Sequence, residues 1–157
     1  MATVIRGSDN FDTSPTVSSN VPAFSAKPSS SQDIPNATWT YVNFGTELAD
    51  SNNTFNTSTS KFTPAVAGMY QLSVAVAYGD GTSGTKIRLA LFKSGVEGVQ
   101  AINDYDSTLG YGIVTLSYLI EANTTDYFQI RTYHARGQAC LIIPSRTFFT
   151  GFKLAGV

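Results

Sequence analysis

The sequence predicts an all-β protein, a sandwich or barrel of about eight to ten antiparallel strands, on the basis of three observations. Ser60 to Val76, SKFTPAVAGMYQLSVAV, contains a Pro and Gly turn followed by large apolar residues at every second position. Residues 146–154, RTFFTGFKL, repeat this alternation near the end of the chain. No stretch shows a sustained apolar stripe of helical period with capping signals, so no helix is predicted.

The strand predicted at residues 68–78 has two different faces. Its large apolar positions are Tyr70, Leu72, Val74 and Val76, and the residues between them are small or polar. Successive side chains of an extended strand point to opposite faces of a sheet. We therefore expect the large apolar face to belong to the core.

The composition is typical of one domain with a real core and a largely uncharged surface. The chain has 157 residues, of which 42% are hydrophobic and 13% are charged, and its net charge is −1. Soluble domains usually carry about 25% charged residues. A neutral surface does not attract phosphate backbones or anionic lipids, so we expect no nucleic-acid binding. No stretch approaches the roughly 18 apolar residues of a membrane span, so we expect no membrane insertion. Cys140 is the only cysteine, so we expect it to be buried and the fold to depend on packing or oligomerisation.

Residues 1–20 differ from the rest of the chain because they lack any alternation. We interpret them as an attachment arm that orders only against a partner, with Val4, Ile5 and Phe11 as its apolar contacts. Residues 21–157 form the folded domain in this interpretation. The start, MATVIRGSDNFDTSP, has no apolar stretch of signal-peptide length, so we expect synthesis in a cytoplasm.

The other strands follow in order from Val21. VPAFSA and TWTYVNFGTEL alternate on either side of a polar loop, KPSSSQDIPNA. After the central strand and the glycine-rich turn YGDGTSGT, residues 85–92 alternate again, and a weaker strand is expected near 99–103. Residues 109–121 are apolar on both faces, as in a strand buried between a core and a second contact. TDYFQIRTYHA and RTFFTGFKL complete the set.

Three short motifs of the sequence resemble motifs of a known protein family, and they occur in the same order as in that family. The matching positions are Ala23, Phe24, Ser25 and Ala26, then Lys61, Phe62, Thr63, Val66, Gly68 and Tyr70, then Phe149, Gly151, Phe152 and Leu154. They resemble the globular head of complement component 1q and the tumour-necrosis-factor-like jelly rolls. The resemblance covers about residues 22–157. It implies a jelly-roll sandwich.

The exact residues in and around these motifs are similar to a subgroup of that family found at the ends of bacteriophage virion proteins. The phrases concerned are PAFSA, SSSQ, TWT and FTPAVAGMYQ. This similarity implies a homotrimer in which one sheet of each protomer faces a threefold axis. It also implies a location in the virion after synthesis in the host cytoplasm.

The strand at residues 109–121 supports a trimer independently, because one core cannot cover both of its apolar faces. The sequence does not decide which face meets the axis. One face carries Tyr111, Ile113 and Leu119, and the other carries Val114, Leu116 and Tyr118, so the candidate seam residues are Tyr111, Ile113, Val114, Leu116 and Tyr118. The alternative is a monomer whose second face is covered by its own loops.

The function implied by the resemblance is that of a structural virion protein, a trimeric head on a tail fibre or appendage that attaches to the host surface. Its partners would be other virion proteins, bound through the arm, and a host glycan or protein. Tyr78, Asp80 and Tyr105, in two predicted loops, are the candidate surface contacts. One alternative is a capsid decoration or head-fibre protein anchored by the arm. Another is a cellular lectin-like or cytokine-like binding trimer.

Residues that could support catalysis or metal binding are few. His134, the only histidine, lies six residues from Cys140, but no third orienting group or oxyanion element accompanies them. We predict no enzyme and no cofactor, and we expect His134 at a strand end on the surface or in an interface. Asp104 and Asp106 are weak calcium candidates, because the ligand-dense calcium loop pattern is absent.

Overall fold

Alternating apolar residues form two antiparallel sheets that face each other as a jelly-roll sandwich. The computed structural model describes residues 22–79, 84–105 and 107–154. The strands are β1 (Ala23–Lys27), β2 (Gln32–Ile34), β3 (Thr40–Tyr41), β4 (Thr46–Asp50), β5 (Phe55–Asn56), β6 (Lys61–Phe62), β7 (Gly68–Gly79), β8 (Lys86–Lys93), β9 (Val96–Asp104), β10 (Tyr111–Ala122), β11 (Phe128–His134), β12 (Cys140–Ile142) and β13 (Phe148–Lys153). Short 3-10 turns occur at Ser107–Leu109 and Pro144–Arg146.

The sequence prediction of an all-β jelly roll is confirmed. Eight of the described strands have five or more residues, and the others have two or three. The described residues contain no α-helix, and therefore none of the length and hydropathy required to cross a bilayer.

Sheet A is built around β7, the strand with which the fold prediction began. One edge of β7 pairs with the whole of β10, and its other edge pairs with β13 and then with the end of β12. The sheet continues from β13 through β1 to β4, while β2 extends it beyond β12. Sheet B has the order β5, β6, β11, β8, β9, and β3 pairs with β11.

The core between the sheets is rich in aromatic rings. Phe24 in β1 stacks on Phe62 of the opposite sheet with ring centroids 4.4 Å apart, and it also stacks on Phe55 at 5.1 Å. Phe149 in β13 meets the Phe24 ring edge-on at 4.9 Å. Aromatic pairs in these geometries add to the stabilisation gained from burial alone. Residues from the first, second and last matching phrases thus meet in one cluster that joins the two sheets.

The large apolar face of β7 lies in this core, as predicted. Tyr70, Leu72, Val74 and Val76 are all buried, whereas Gln71 and Ser73 on the other face are only partly covered. The Tyr70 hydroxyl donates to the carbonyl of Val66 at 2.6 Å, which ties the strand to the turn that precedes it. This bond satisfies the polar end of a ring that is otherwise surrounded by apolar groups.

Candidate assembly surface

The outer face of sheet A carries a row of small hydroxyl side chains across four neighbouring strands. Ser25 pairs with Thr150, Thr150 with Ser73, and Ser73 with Ser117. The Ser73 and Ser117 hydroxyl oxygens are 2.9 Å apart, and the amide of Gln71 donates to Ser117 at 2.8 Å. The centre of this face is therefore flat and internally hydrogen-bonded, so a second surface could approach it closely.

Exposed large apolar residues border the hydroxyl row on both sides. Phe152 in β13 and Leu119 in β10 both pair with Gln71 in β7, one from each side. Their side chains are 49% and 44% exposed. Phe148 lies on the other side of the row and is 42% exposed. Apolar groups of this size around a flat centre are typical of an interaction surface. We call the hydroxyl row with Leu119, Phe148 and Phe152 the sheet A patch.

The predicted seam residues of β10 divide between the two faces of the strand. Tyr111 and Ile113 point outward and are partly covered, and the guanidinium of Arg146 lies 3.9 Å from the centre of the Tyr111 ring. Val114 and Leu116 were wrong as seam candidates, because the alternation turns them into the core, where they are 2% and 7% exposed. The outward neighbours of the same strand include Leu119 instead.

Tyr118 is exposed for a different reason. It shares the inward parity of Val114 and Leu116, but it lies where the sandwich opens between β9 and β10 and is 42% exposed. There it lines a cleft of about 450 Å³ with mostly apolar walls. The other lining residues are Leu91, Lys93, Ser94, Val96, Glu97, Gly98, Val99, Ile120 and Asp126. We call this the edge cleft.

The sequence prediction of surface contacts did not include the exposed Phe148 and Phe152, although the sequence contained a signal for them. In RTFFTGFKL, Phe149 and Gly151 have one parity, and Phe148 and Phe152 have the other. Because Phe149 enters the core, strand alternation sends the other two phenylalanines outward. The alternation that predicts the strand therefore also predicts two phenylalanines on its outer face.

Two of the predicted surface contacts are core residues. Tyr78 is fully buried, since β7 continues to Gly79 and keeps the inward parity of Tyr70 through Val76. Tyr105 is 3% exposed, and its ring packs so closely on Gly112 that a β-carbon there would lie 2.8 Å from the ring. Both predictions were wrong because a position beside a predicted turn does not by itself expose a side chain. Asp80, the third candidate, lies outside the described residues, as do Val4, Ile5 and Phe11.

His134 and Cys140 are also buried, which corrects the expectation of an exposed or interfacial histidine. The His134 ring nitrogen Nε2 is 2.9 Å from the carbonyl oxygen of Ile34, which links the ends of the two sheets. Arg136 donates from Nη1 to the Cys140 sulfur at 3.4 Å. Cys140 is 1% exposed, as predicted, and His134 is fully buried. Neither side chain is open to a substrate, so this geometry does not present a catalytic dyad.

Tyr78 packs beside this buried pair. Its ring meets that of His134 edge-on at 6.4 Å, and its hydroxyl has no hydrogen-bond partner among the described residues. Burial, reinforced by the nearby Cys140, raises the pKa of the Tyr78 hydroxyl well above its usual value. The hydroxyl therefore stays protonated and serves packing in this corner of the sandwich.

Of the two weak calcium candidates, the structure describes only Asp104. Its carboxylate forms an exposed ion pair with Lys86 at 2.7 Å. Asp106 lies outside the described residues, and the described part of the chain contains no cluster of three His, Cys, Asp or Glu side chains suited to a metal. The Asp104 carboxylate is thus paired with Lys86, and the described residues place no metal-binding cluster around it.

Comparison with known proteins identifies the same fold. The model of the C1q domain family matches residues 23–154. The globular domain of zebrafish complement 1qA has a TM-score of 0.62 at 20% identity, covering 85% of this chain and 97% of that one. Murine APRIL at pH 5.0 has a TM-score of 0.64 at 14% identity, covering 86% and 100%. Eiger TNF from S. frugiperda has a TM-score of 0.62 at 15% identity, covering 87% and 93%.

A search of curated protein sequences gives no significant match. At identities of 20% or less, the likeness to the solved structures concerns the fold. What the domain assembles with and binds has to be argued from its own surfaces.

Proposed function

The chain belongs to the C1q domain family, and we propose that it is a trimeric binding head of a bacteriophage virion. In this proposal the head sits on a tail fibre or tail appendage and attaches the particle to the host surface. The sheet A patch is the observation that carries the proposal. Its exposed aromatic and aliphatic side chains need a neighbour, and the described loops of the chain do not cover them.

A ring of three copies needs two different patches that fit each other, because a heterologous contact repeats around a cyclic axis. The sheet A patch supplies projecting side chains, among them Phe152 and Leu119. The edge cleft supplies an apolar recess with Tyr118 on its wall. Both patches include β10, on its opposite faces, so one strand takes part in both sides of the contact. A closed trimer buries both at once.

The virion setting is supported by the subgroup resemblance of phrases such as FTPAVAGMYQ and by the low charge of the chain. Residues 1–20 are proposed to bind other virion proteins. A capsid location would require the same trimer and the same arm as a tail location. Imaging of labelled particles is therefore the experiment that distinguishes the two locations. Label at the tail tip supports the attachment role, and label over the capsid supports decoration. A cellular lectin-like or cytokine-like trimer would label neither.

Binding rather than catalysis is the activity proposed for this head. The one histidine and the one cysteine of the chain are both buried, and the Tyr78 hydroxyl beside them is held protonated. General acid–base or nucleophilic chemistry needs such groups within reach of a substrate.

Light scattering on the isolated protein tests the assembly. We expect a mass near three times 16.8 kDa. Phe152→Asp places a charge in the sheet A patch and should give a folded monomer, because burying an unpaired carboxylate in an interface is costly. Ile102→Asp, the same kind of change at a residue 56% exposed on sheet B, should leave the trimer intact. A wild-type monomer would overturn the proposal, and a trimeric Phe152→Asp protein would remove the sheet A patch from the interface.

A further inference from the structure

The outer face of sheet B carries a continuous stack of aromatic and arginine side chains. The Arg131 guanidinium lies 4.1 Å from the ring centre of Tyr41 on one side and 4.1 Å from that of Phe92 on the other. Trp39 then lies 6.3 Å from Phe92 and 5.5 Å from Tyr133, ring centre to ring centre. Arg88 completes the stack at 5.5 Å from the Tyr133 ring. We call these six side chains the outer ladder.

Strand register produces the outer ladder. Tyr41 in β3 pairs directly with Arg131 in β11, and Tyr133 in β11 pairs directly with Arg88 in β8. Ala90 lies opposite Arg131 on β8 and adds only a methyl group to this face. Directly opposed side chains on one face are close enough to stack. Sheet pairing therefore holds both arginines against rings in defined positions.

The outer ladder is accessible and is not neutralised within the described chain. Tyr41 is 40% exposed, Arg88 is exposed, and Trp39, Arg131 and Tyr133 are half-buried. Both ion pairs between described residues use lysines instead: Lys86 with Asp104 and Lys93 with Asp126. The Nε atom of Arg131 is buried and has no hydrogen-bond partner there. Two arginine charges thus lie on one face among aromatic rings, with no carboxylate partner among the described residues.

A purely structural role explains the stacking but leaves the charge pattern unexplained. Apolar cover for the sheet needs rings and no cations, whereas arginines stacked on rings also present positive charge at the surface. The exposed guanidinium of Arg88 can bind a carboxylate through two parallel bonds. Arg131 donates from Nη2 to the Tyr41 hydroxyl and its Nε is buried, so it contributes positive charge beside the rings. The exposed Tyr41 ring and the half-buried Trp39 and Tyr133 rings offer flat apolar surfaces beside those cations. Together these groups suit a ligand that has both carboxylates and apolar ring faces.

We propose that the outer ladder binds an acidic saccharide, in which carboxylate-bearing sugar units pair with Arg88 and Arg131 while sugar ring faces lie on Trp39, Tyr41 or Tyr133. This proposal rests on the proposed attachment function and names the ligand class for it. The outer face of sheet B lies on the opposite side of the sandwich from the sheet A patch. A trimer closed through sheet A therefore presents three ladders outward, and a repeating polysaccharide engages several at once.

Binding of the full chain to polygalacturonate, compared with the same polymer as its methyl ester, tests the ligand class. We expect binding to the acid and at least about tenfold weaker binding to the ester, which keeps the sugar rings but lacks the charge. Arg88→Gln and Arg131→Gln should each weaken binding about tenfold. Lys86→Gln, which removes the same charge from the same face of β8, should change it less than about twofold because Asp104 already pairs with Lys86.

Each other outcome overturns the assignment. Equal binding to polygalacturonate and to its methyl ester would show that the arginines do not recognise the carboxylates. A loss of binding with Lys86→Gln equal to that of the arginine variants would show that only net charge matters. Equal binding to poly-glutamate would point to an acidic protein instead of a saccharide. If Arg131→Gln lowers the melting temperature markedly, the exposed Arg88 still provides the test. A wild-type trimer that attaches to host cells but does not bind polygalacturonate would contradict this inference and leave the proposed function unaffected. A monomer that binds neither host cells nor polygalacturonate would contradict both the inference and the proposed function.

Discussion

Gly151 marks the closest approach of β13 to the aromatic core. A β-carbon at this position would lie 2.5 Å from the Leu72 Cδ2 atom and 2.7 Å from the Phe24 Cε1 atom. Both neighbours are buried and packed on all sides, so neither side chain has free space to move into. The glycine in the last matching phrase is thus required by packing across two strands.

Gly151→Ala should lower the free energy of unfolding by about 2 kcal/mol, because the extra methyl group overpacks the core beside Phe24. Gly79→Ala is the matched control, since a β-carbon there would have its nearest neighbour at 3.6 Å, an ordinary contact. Urea unfolding of both variants provides the measurement. Equal stability of the two variants would show that the core repacks around the new methyl group.

Asp126 closes the turn between β10 and β11 with a carboxylate that serves several partners. It accepts the backbone N–H of Asn123 at 2.9 Å and lies 3.1 Å from the Lys93 ammonium, while Ser94 approaches at 3.3 Å. Burial would by itself raise the pKa of this carboxyl, but the hydrogen bonds and Lys93 outweigh it, so the pKa lies below its ordinary value of 3.8. The ionised form therefore stabilises the fold.

Asp126→Asn should cost about 2 kcal/mol of stability at neutral pH, because the neutral amide loses the charge-assisted bonds. A lowered folded-state pKa means that this contribution is complete above pH 3.8, the ordinary value, and is lost as the pH falls below it. The stability difference between wild type and variant should therefore shrink in acid.

Thermal melting of the Asp126→Asn protein from neutral pH down to about pH 3 measures this difference. Asp104→Asn is the control, since its ion pair with Lys86 is exposed and should contribute less than about 1 kcal/mol. A stability difference that stays constant through the acid range would exclude the Asp126 carboxylate as its source.

At the scale of elements, the long strands could be predicted because their alternation is carried within each strand. The strand predicted at residues 68–78 is Gly68–Gly79, and the one predicted near 99–103 is Val96–Asp104. Short strands could not be predicted in this way. β2, Gln32–Ile34, lies within the stretch interpreted as a polar loop and exists because β12 lies beside it. Its register is set by residues more than a hundred positions away in the sequence.

The face of a strand is harder to predict than its existence when both faces are apolar. In β10 the sequence left open whether Val114 or Ile113 met the core, and only the position of sheet B decides it. The tyrosines posed a related difficulty, since Tyr78 precedes a glycine and Tyr105 lies between two aspartates, and yet both fill the core. The outer ladder depends on pairing among β3, β8 and β11, which no local pattern reveals.

At the scale of the whole molecule, the two outer faces of the sandwich suit different tasks. Sheet A combines small hydroxyls with exposed phenylalanines and has little charge at its centre, so it suits the apolar edge cleft of a neighbouring copy. Sheet B presents two arginines among aromatic rings, so it fits an anionic ligand. Assigning assembly to one face and recognition to the other leaves the arm, residues 1–20, for attachment to the particle.

Removal of residues 1–20 tests this separation. We expect the shortened protein to remain a trimer with an unchanged melting temperature, because the described core and the sheet A patch lie entirely beyond those residues. It should bind polygalacturonate as the full chain does and should no longer join virus particles, as judged by mass spectrometry of purified virions. Val4→Asp with Ile5→Asp in the full chain is a milder variant that should reduce incorporation, because it puts charge on the proposed apolar contacts of the arm. Normal incorporation of the shortened protein would place particle attachment on the folded head itself, where the sheet A patch and the edge cleft would then have to serve both assembly and anchoring.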